Sequence, residues 1–125
     1  MSNEKNLTLK EAFDLAFHNH QNNHLQDAQN YYQKVIKMDP NHLEAHNNLG
    51  SVHQELGDRQ KAKDCYEKAI EINPKYLDAQ YNLGIVFQGL GDRQKAKDCY
   101  EKAIEINPKY VNAHNNLGNL FRELG

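Results

Sequence analysis

The twenty-one residues LGDRQKAKDCYEKAIEINPKY occupy positions 56–76 and recur unchanged at 90–110, an offset of thirty-four. No other feature of the chain restricts its fold as strongly. A unit this short cannot bury its apolar face alone, so copies must stack on one another and build a solenoid. Outward from units at 43–76 and 77–110, a degenerate copy is legible at 9–42 and the front half of another at 111–125. LQDAQNYYQKVIKMDP parallels RQKAKDCYEKAIEINP, and EAHNNLGSV, DAQYNLGIV and NAHNNLGNL fall in step. The expected organisation is a lead-in at 1–8, three units, and a partial fourth at 111–125.

Apolar spacing inside each unit is helical. Leu49, Val52 and Leu56 lie three and four apart, as do Leu83, Val86 and Leu90, and Ala62, Tyr66, Ala69 and Ile70 form a second stripe. Gly57 supplies a positive φ between the two stripes and Asp58 an N-cap. Asn73 before Pro74 is expected to end the second helix in a left-handed cap. Each unit is therefore helix–turn–helix, and the chain reads as all-α with seven helices, A and B three times and a last A. Gly50 and Gly84 mark close approach of helix A to its own helix B, with Ala62 and Ala96 expected opposite. Tyr66 and Tyr100 are expected to reach the next unit's first helix. On the outer wall, Asp64 and Lys68 are spaced for an i,i+4 ion pair.

These residues resemble the tetratricopeptide repeat, whose pattern is W-x2-L-G-x2-Y…A-x3-F…P over thirty-four residues. The second unit gives His46, Leu49, Gly50, His53, Ala62, Tyr66 and Pro74, and the third gives Gln80, Leu83, Gly84, Phe87, Ala96, Tyr100 and Pro108. The first unit places Ala12, Leu15, Ala16, Asn19, Ala28, Tyr32 and Pro40 at the motif positions, and the motif's first aromatic is missing throughout. The resemblance implies a right-handed superhelix whose A helices line a concave groove. It also implies protein or peptide binding there rather than catalysis.

Helix B repeats its text while helix A varies, so specificity is expected on helix A. Groove positions are Phe13, Asp14 and Phe17; Asn47, Asn48 and Ser51; Tyr81, Asn82 and Ile85; and Asn115, Asn116 and Asn119. Asn48, Asn82 and Asn116 form a column one period apart. A carboxamide carries an acceptor and two donors and can bond both polar groups of a peptide unit. The column is similar to the asparagine ladder of the tetratricopeptide superhelix in O-linked N-acetylglucosamine transferases, which holds peptides by their backbone. The same asparagines could instead bond neighbouring helices and set repeat geometry. Phe13, Phe17, Tyr81 and Ile85 would add apolar contacts. A chaperone-type carboxylate clamp is disfavoured, because its cations are absent from Phe13, Phe17, Asn48, Asp78 and Asn82.

Composition excludes other classes. Fifteen Lys and Arg against seventeen Asp and Glu leave no electrostatic footprint for nucleic acid. A mean hydropathy of −0.94 argues against membrane insertion, and the first residues lack a signal peptide's apolar core, so the reading is cytoplasmic. Cys65 and Cys99 are expected as free thiols. The pairs His20/His24 and His42/His46 lack further ligands, so no metal and no cofactor is expected. GDRQK lacks the remainder of a phosphate loop, and Ser2, Thr8 and Ser51 find no triad, so the chain is not read as an enzyme. Leu117, Leu120, Phe121 and Leu124 stripe the last helix, which suggests either the leading part of a longer array or a homo-oligomer through that helix. Two narrower functions stand beside peptide binding: substrate recruitment for a larger glycosyltransferase-like enzyme, and a self-assembling scaffold.

Overall fold

A computed structural model describes residues 6–124, with Leu124 described in its backbone alone. Residues 1–5 of the expected lead-in, Ser2 among them, and the Leu124 side chain of the terminal stripe lie outside the described residues. Seven helices and no strand are present among the described residues: α1 (Leu9–Gln21), α2 (Leu25–Met38), α3 (Leu43–Glu55), α4 (Arg59–Ile72), α5 (Leu77–Gly89), α6 (Arg93–Ile106) and α7 (Val111–Leu124). Each helix packs on the next, and α3 also touches α5 directly, as stacked helical pairs require.

Local chemistry accounts for the boundaries. Thr8 opens α1 with a reciprocal box: its Oγ1 accepts from the Glu11 N–H at 3.1 Å, and Glu11 Oε1 accepts from the Thr8 N–H at 3.0 Å. Asp58 and Asp92 cap α4 and α6 by accepting from the Lys61 and Lys95 N–H groups at 3.0 and 3.1 Å. Gly57 and Gly91 adopt φ of +86° and +83° in the turns before them, and Asn23 takes the same left-handed conformation at +63° in the first unit.

The second turn differs from expectation. Asn73 and Asn107 are extended, with φ of −142° and −136°, and not left-handed. Their side chains satisfy the turn instead, each Oδ1 accepting a backbone N–H two residues on, from Lys75 and Lys109 at 3.0 and 3.1 Å. The expected Asp64–Lys68 pair is also absent. Asp64 accepts from Gln60 at 3.3 Å, and Lys68 turns to Glu71 at 3.6 Å.

The partner of the motif glycine is an aromatic ring. A Cβ on Gly50 would stand 2.6 Å from Tyr66 Cε1, and one on Gly84 would stand 2.6 Å from Tyr100 Cε1. The tyrosine rings of the same repeat are thus the nearest neighbours of the glycines. The rings still join the inter-repeat core, where Tyr66 packs in one cluster with Ala79, Leu83 and Val86. Their hydroxyls turn inward: Tyr66 donates to Gln54 Oε1 and lies 3.1 Å from Ser51 Oγ, and Tyr100 donates to Gln88 Oε1 at 2.7 Å.

A polar tether replaces the motif's missing aromatic. His46 Nε2 lies 2.7 Å from the Pro40 carbonyl, Gln80 Nε2 donates to the Pro74 carbonyl at 3.1 Å, and His114 Nε2 lies 2.8 Å from the Pro108 carbonyl. A carbonyl oxygen only accepts, so both histidines carry their proton on Nε2. Helix A of each unit after the first is thereby tied to the turn that precedes it.

On α7, Leu120 is fully buried and Leu117 packs against the core of the third repeat. Phe121 is 48% exposed, whereas its counterparts His53 and Phe87 are buried. Gly118 occupies the position of Gly50 and Gly84, yet a Cβ there would meet nothing within 4 Å.

Candidate functional site

Four helices share one face. α1 reaches α3 through the stacked rings of Phe13 and His42 at 5.1 Å and through His20 Nε2, 3.2 Å from Glu55 Oε2. α3 reaches α5 where Asn82 Nδ2 donates to Asn47 Oδ1 at 3.4 Å, and α5 reaches α7 where Asn116 Nδ2 donates to the Tyr81 hydroxyl at 3.1 Å. The residues expected to line one groove are thus brought together by direct contacts between successive A helices.

Tyr100 of α6 holds Asn116 from beneath. Tyr100 has one hydroxyl proton, which goes to Gln88, so its oxygen accepts from Asn116 Nδ2 at 3.4 Å. Burial pushes the Tyr100 phenol up to about 12, and the Asn116 bond opposes that shift. Burial, the larger cause, likewise pushes the Tyr32 phenol up to about 12, and Asn48 opposes that shift. Asn82 and Asn116 each give an amide N–H to the protein, and neither Oδ1 receives a side-chain donor among the described residues. Asn116 commits both amide hydrogens, so the two-sided grip on a peptide unit is closed to it.

The other expected positions separate into exposed and buried groups. Phe17, Asn115 and Asn119 are exposed, while Phe13, Tyr81 and Ile85 are half-buried. Phe13 stacks on Phe17 at 6.4 Å and meets the Tyr32 ring edge-on at 5.9 Å. Tyr81 meets Tyr110 edge-on at 5.3 Å and Tyr100 at 6.0 Å. Asn47 differs from expectation: at 5% exposure it sits beneath Asn82 as its acceptor and presents no surface of its own. Two concavities open on this face, one of about 380 Å³ lined by Ile85, Gln88, Gly89, Tyr100, Asn116 and Asn119, the other of about 270 Å³ around Phe13 and His42.

One functional column escaped sequence reasoning. Residues 20, 54 and 88 (His20, Gln54 and Gln88) each contact the tyrosine hydroxyl twelve residues on and so orient the groove from below. Their polar side chains at one fixed distance from a motif ring were the available signal. Both thiols are free; burial, the larger cause, pushes Cys65 up to about 11 and Cys99 up to about 12, leaving neither poised as a thiolate nucleophile. No group of three potential metal ligands occurs among the described residues.

Models of the tetratricopeptide repeat family match residues 42–109, 99–125 and 10–42. The chain belongs to the tetratricopeptide repeat family. Solved repeat structures superpose closely on it. That of MamA has a TM-score of 0.91 at 30% identity, covering 94% of this chain and 69% of that one. The first tetratricopeptide domain of Spaghetti (RPAP3) bound to the HSP90 peptide SRMEEVD scores 0.90 at 22% identity, covering 93% and 92% of the two chains. The tetratricopeptide domain of Arabidopsis OM64 scores 0.89 at 19% identity, covering 92% and 95%. At those identities the last two are likenesses of fold alone. No curated protein matches the chain. Tetratricopeptide repeats commonly mediate protein–protein interaction, and none of the matching families is an enzyme family. No helix among the described residues is long and apolar enough to cross a membrane.

Proposed function

We propose that this tetratricopeptide protein binds an extended segment of a partner protein along the face shared by α1, α3, α5 and α7, without catalysis. The observation that carries the reading is the column of Asn48, Asn82 and Asn116 one period apart, in which protein hydrogen bonds hold the amide N–H groups of Asn82 and Asn116 and leave each Oδ1 without a side-chain donor. Adjacent helices pack ~8–10 Å apart, and extended chain advances ~3.3–3.6 Å per residue. Each rung then meets the N–H of roughly every third ligand residue. Phe13, Phe17, Tyr81 and Ile85 supply apolar contacts beside the rungs, Asn115 extends the polar face on α7, and Asn47 supports Asn82 from below. Substrate recruitment for a larger glycosyltransferase-like enzyme would use the same surface and is a narrower form of the same proposal.

A display library of random dodecapeptides, selected on the protein, provides ligands for the test. The variant Asn48→Ala/Asn82→Ala/Asn116→Ala is expected to bind the enriched peptides at least ~10-fold more weakly, since each lost hydrogen bond contributes ~0.5–1.5 kcal/mol. Its helicity at room temperature should be unchanged, with a melting point lower by a few degrees because Asn47 and the Tyr81 and Tyr100 hydroxyls lose their donors. Unchanged affinity in the folded variant would refute the assignment.

A second reading rests on α7. Exposed Phe121 beside the open space at Gly118 supports pairing of α7 with another helix, including that of a second copy. Light scattering that rises in apparent mass with concentration, and no longer does so in Phe121→Gln, is its expected signature.

A further inference from the structure

Between α5 and α7 the groove deepens into the hollow of about 380 Å³, whose lining holds no ionised side chain. Two of its amides, Gln88 and Asn119, differ from Asn82 and Asn116 in which end is free. Gln88 Oε1 accepts from the Tyr100 hydroxyl at 2.7 Å, and Asn119 Oδ1 accepts from the Arg122 guanidinium. A guanidinium only donates, so the oxygen of Asn119 is the atom that faces it. What remains on each side chain is its NH2, and neither Gln88 Nε2 nor Asn119 Nδ2 meets an acceptor among the described residues. Gln88 Nε2 is not sealed from solvent, and Asn119 is exposed.

The rim adds two guanidinium groups. Arg122 is held beside the hollow by its bond to Asn119. Arg59 and Arg93 are the same residue of the duplicated text, and thirty positions on stand Gly89 and Glu123. Arg93 Nε pairs with Glu123 Oε2 at 3.4 Å. Arg59 has no such carboxylate to meet. A Cβ on Gly89 would stand 2.6 Å from Arg59 Nε and 3.5 Å from its Cζ, so this guanidinium lies against a residue that lines the hollow. It takes part in no ion pair or hydrogen bond among the described residues. One copy of the arginine is neutralised, and the other keeps its charge at the groove.

The carboxylate of Glu123, whose charge reaches the Tyr100 phenol, is held by Arg93. A ligand cation brought to the hollow would meet two arginines and two NH2 groups. A carboxylate would find donors on both α5 and α7 beside two positive charges, the setting in which hydrogen bonds are strongest. Asn116 Oδ1, with no side-chain donor of its own, remains an acceptor for a backbone N–H. It belongs to the helical turn before Asn119, ~4.5 Å back along α7. One bound residue can therefore place its N–H on Asn116 and its side chain on Asn119 and Gln88.

We infer that the hollow between α5 and α7 takes a side-chain carboxylate of the bound segment, hydrogen-bonded by Gln88 Nε2 and Asn119 Nδ2 and flanked by Arg59 and Arg122. The inference rests on the groove reading above and adds the partner's charge at one place along it. None of the four residues stands at a position of the chaperone-type clamp, and the ligand group is an aspartate or glutamate within the segment rather than its free end.

The dodecapeptide library tests it directly. Peptides enriched on the wild-type protein are expected to share an Asp or Glu, and changing that residue to Asn or Gln is expected to weaken binding ~3–10-fold, the range of a partly exposed charge-assisted contact. The variant Arg59→Gln/Arg122→Gln is expected to bind the acidic peptide and its amide analogue equally, and to lose the wild type's weakening between roughly 50 and 300 mM salt. Gly89→Glu is expected to reduce the same preference by a different route, since it gives Arg59 the carboxylate that Arg93 already has. All the replaced side chains are exposed, and circular dichroism checks that the helices persist. Enriched peptides without a shared acidic residue, or an acidic preference unchanged in the folded Arg59→Gln/Arg122→Gln variant, would overturn the inference while leaving the groove reading intact. Peptides that bind equally to the folded Asn48→Ala/Asn82→Ala/Asn116→Ala variant would overturn both.

Discussion

Truncating Tyr66 to alanine is expected to destabilise the protein by about 3–5 kcal/mol, the range for removing a fully buried aromatic side chain. The ring has no exposed surface, covers Gly50 of its own repeat, and shares a cluster with Ala79, Leu83 and Val86 of the next. Its removal opens a void at the seam between the second and third repeats and takes away the hydroxyl that pairs with Gln54 and Ser51. A chain of this size shifts its melting midpoint by roughly 3–5 °C per kcal/mol, so the midpoint should fall by on the order of 10–20 °C. Because stacked repeats are coupled only to their neighbours, the transition should also broaden as the two sides of the weakened seam melt apart. Tyr66→Phe separates the two contributions: it keeps the ring and is expected to cost about 1 kcal/mol for the hydroxyl alone. Circular dichroism melts of both variants check this. A Tyr66→Ala midpoint within a few degrees of the wild type would contradict the packing described.

The same substitution at two equivalent glycines should have opposite signs. Gly50→Ala places a methyl 2.6 Å from Tyr66 Cε1 and 2.9 Å from two further ring atoms. That ring is fully buried and held at its hydroxyl, so it cannot withdraw. Overpacking of this kind costs ~1–3 kcal/mol, offset in part by the ~1 kcal/mol that alanine gains over glycine in a helix. A net loss of up to about 2 kcal/mol follows. Gly118→Ala meets no atom within 4 Å and retains the propensity gain, so it should stabilise by up to about 1 kcal/mol. Denaturant melts of the two single variants give the comparison. Equal destabilisation at both sites would show that the Gly118 surface is covered in solution.

The contrast between those glycines marks how far the sequence could be read. Period, stripe spacing and the Gly57-Asp58 and Gly91-Asp92 steps contain their own physics, since positive φ and N-capping are local demands; the helices follow from them. What stands across from a residue is set by how two helices cross, and no spacing rule states it. The closeness of the Tyr66 ring to Gly50 is such a case. Asn73 departs from the left-handed cap because asparagine can satisfy a turn by its backbone conformation or by its side chain, and the sequence is the same in either case. In the groove, the column Asn48, Asn82 and Asn116 was legible from the step alone. Which end of each amide is committed was not, because it depends on where Tyr100 sends its single proton. Asn47 and Tyr81 share a column and a spacing, yet one is buried and the other half-exposed, since an amide can tuck beneath Asn82 where a phenol ring cannot.

The central claim is that the A-helix face carries binding through amides whose hydrogens are held by the protein. Nitrogen-edited NMR observes those amides individually. Titration of the labelled protein with the most enriched dodecapeptide should shift the side-chain NH2 signals of Asn48, Asn82 and Asn116 together with the backbone of α3, α5 and α7. Shifts confined to α2, α4 and α6, with the three carboxamides unmoved, would contradict it.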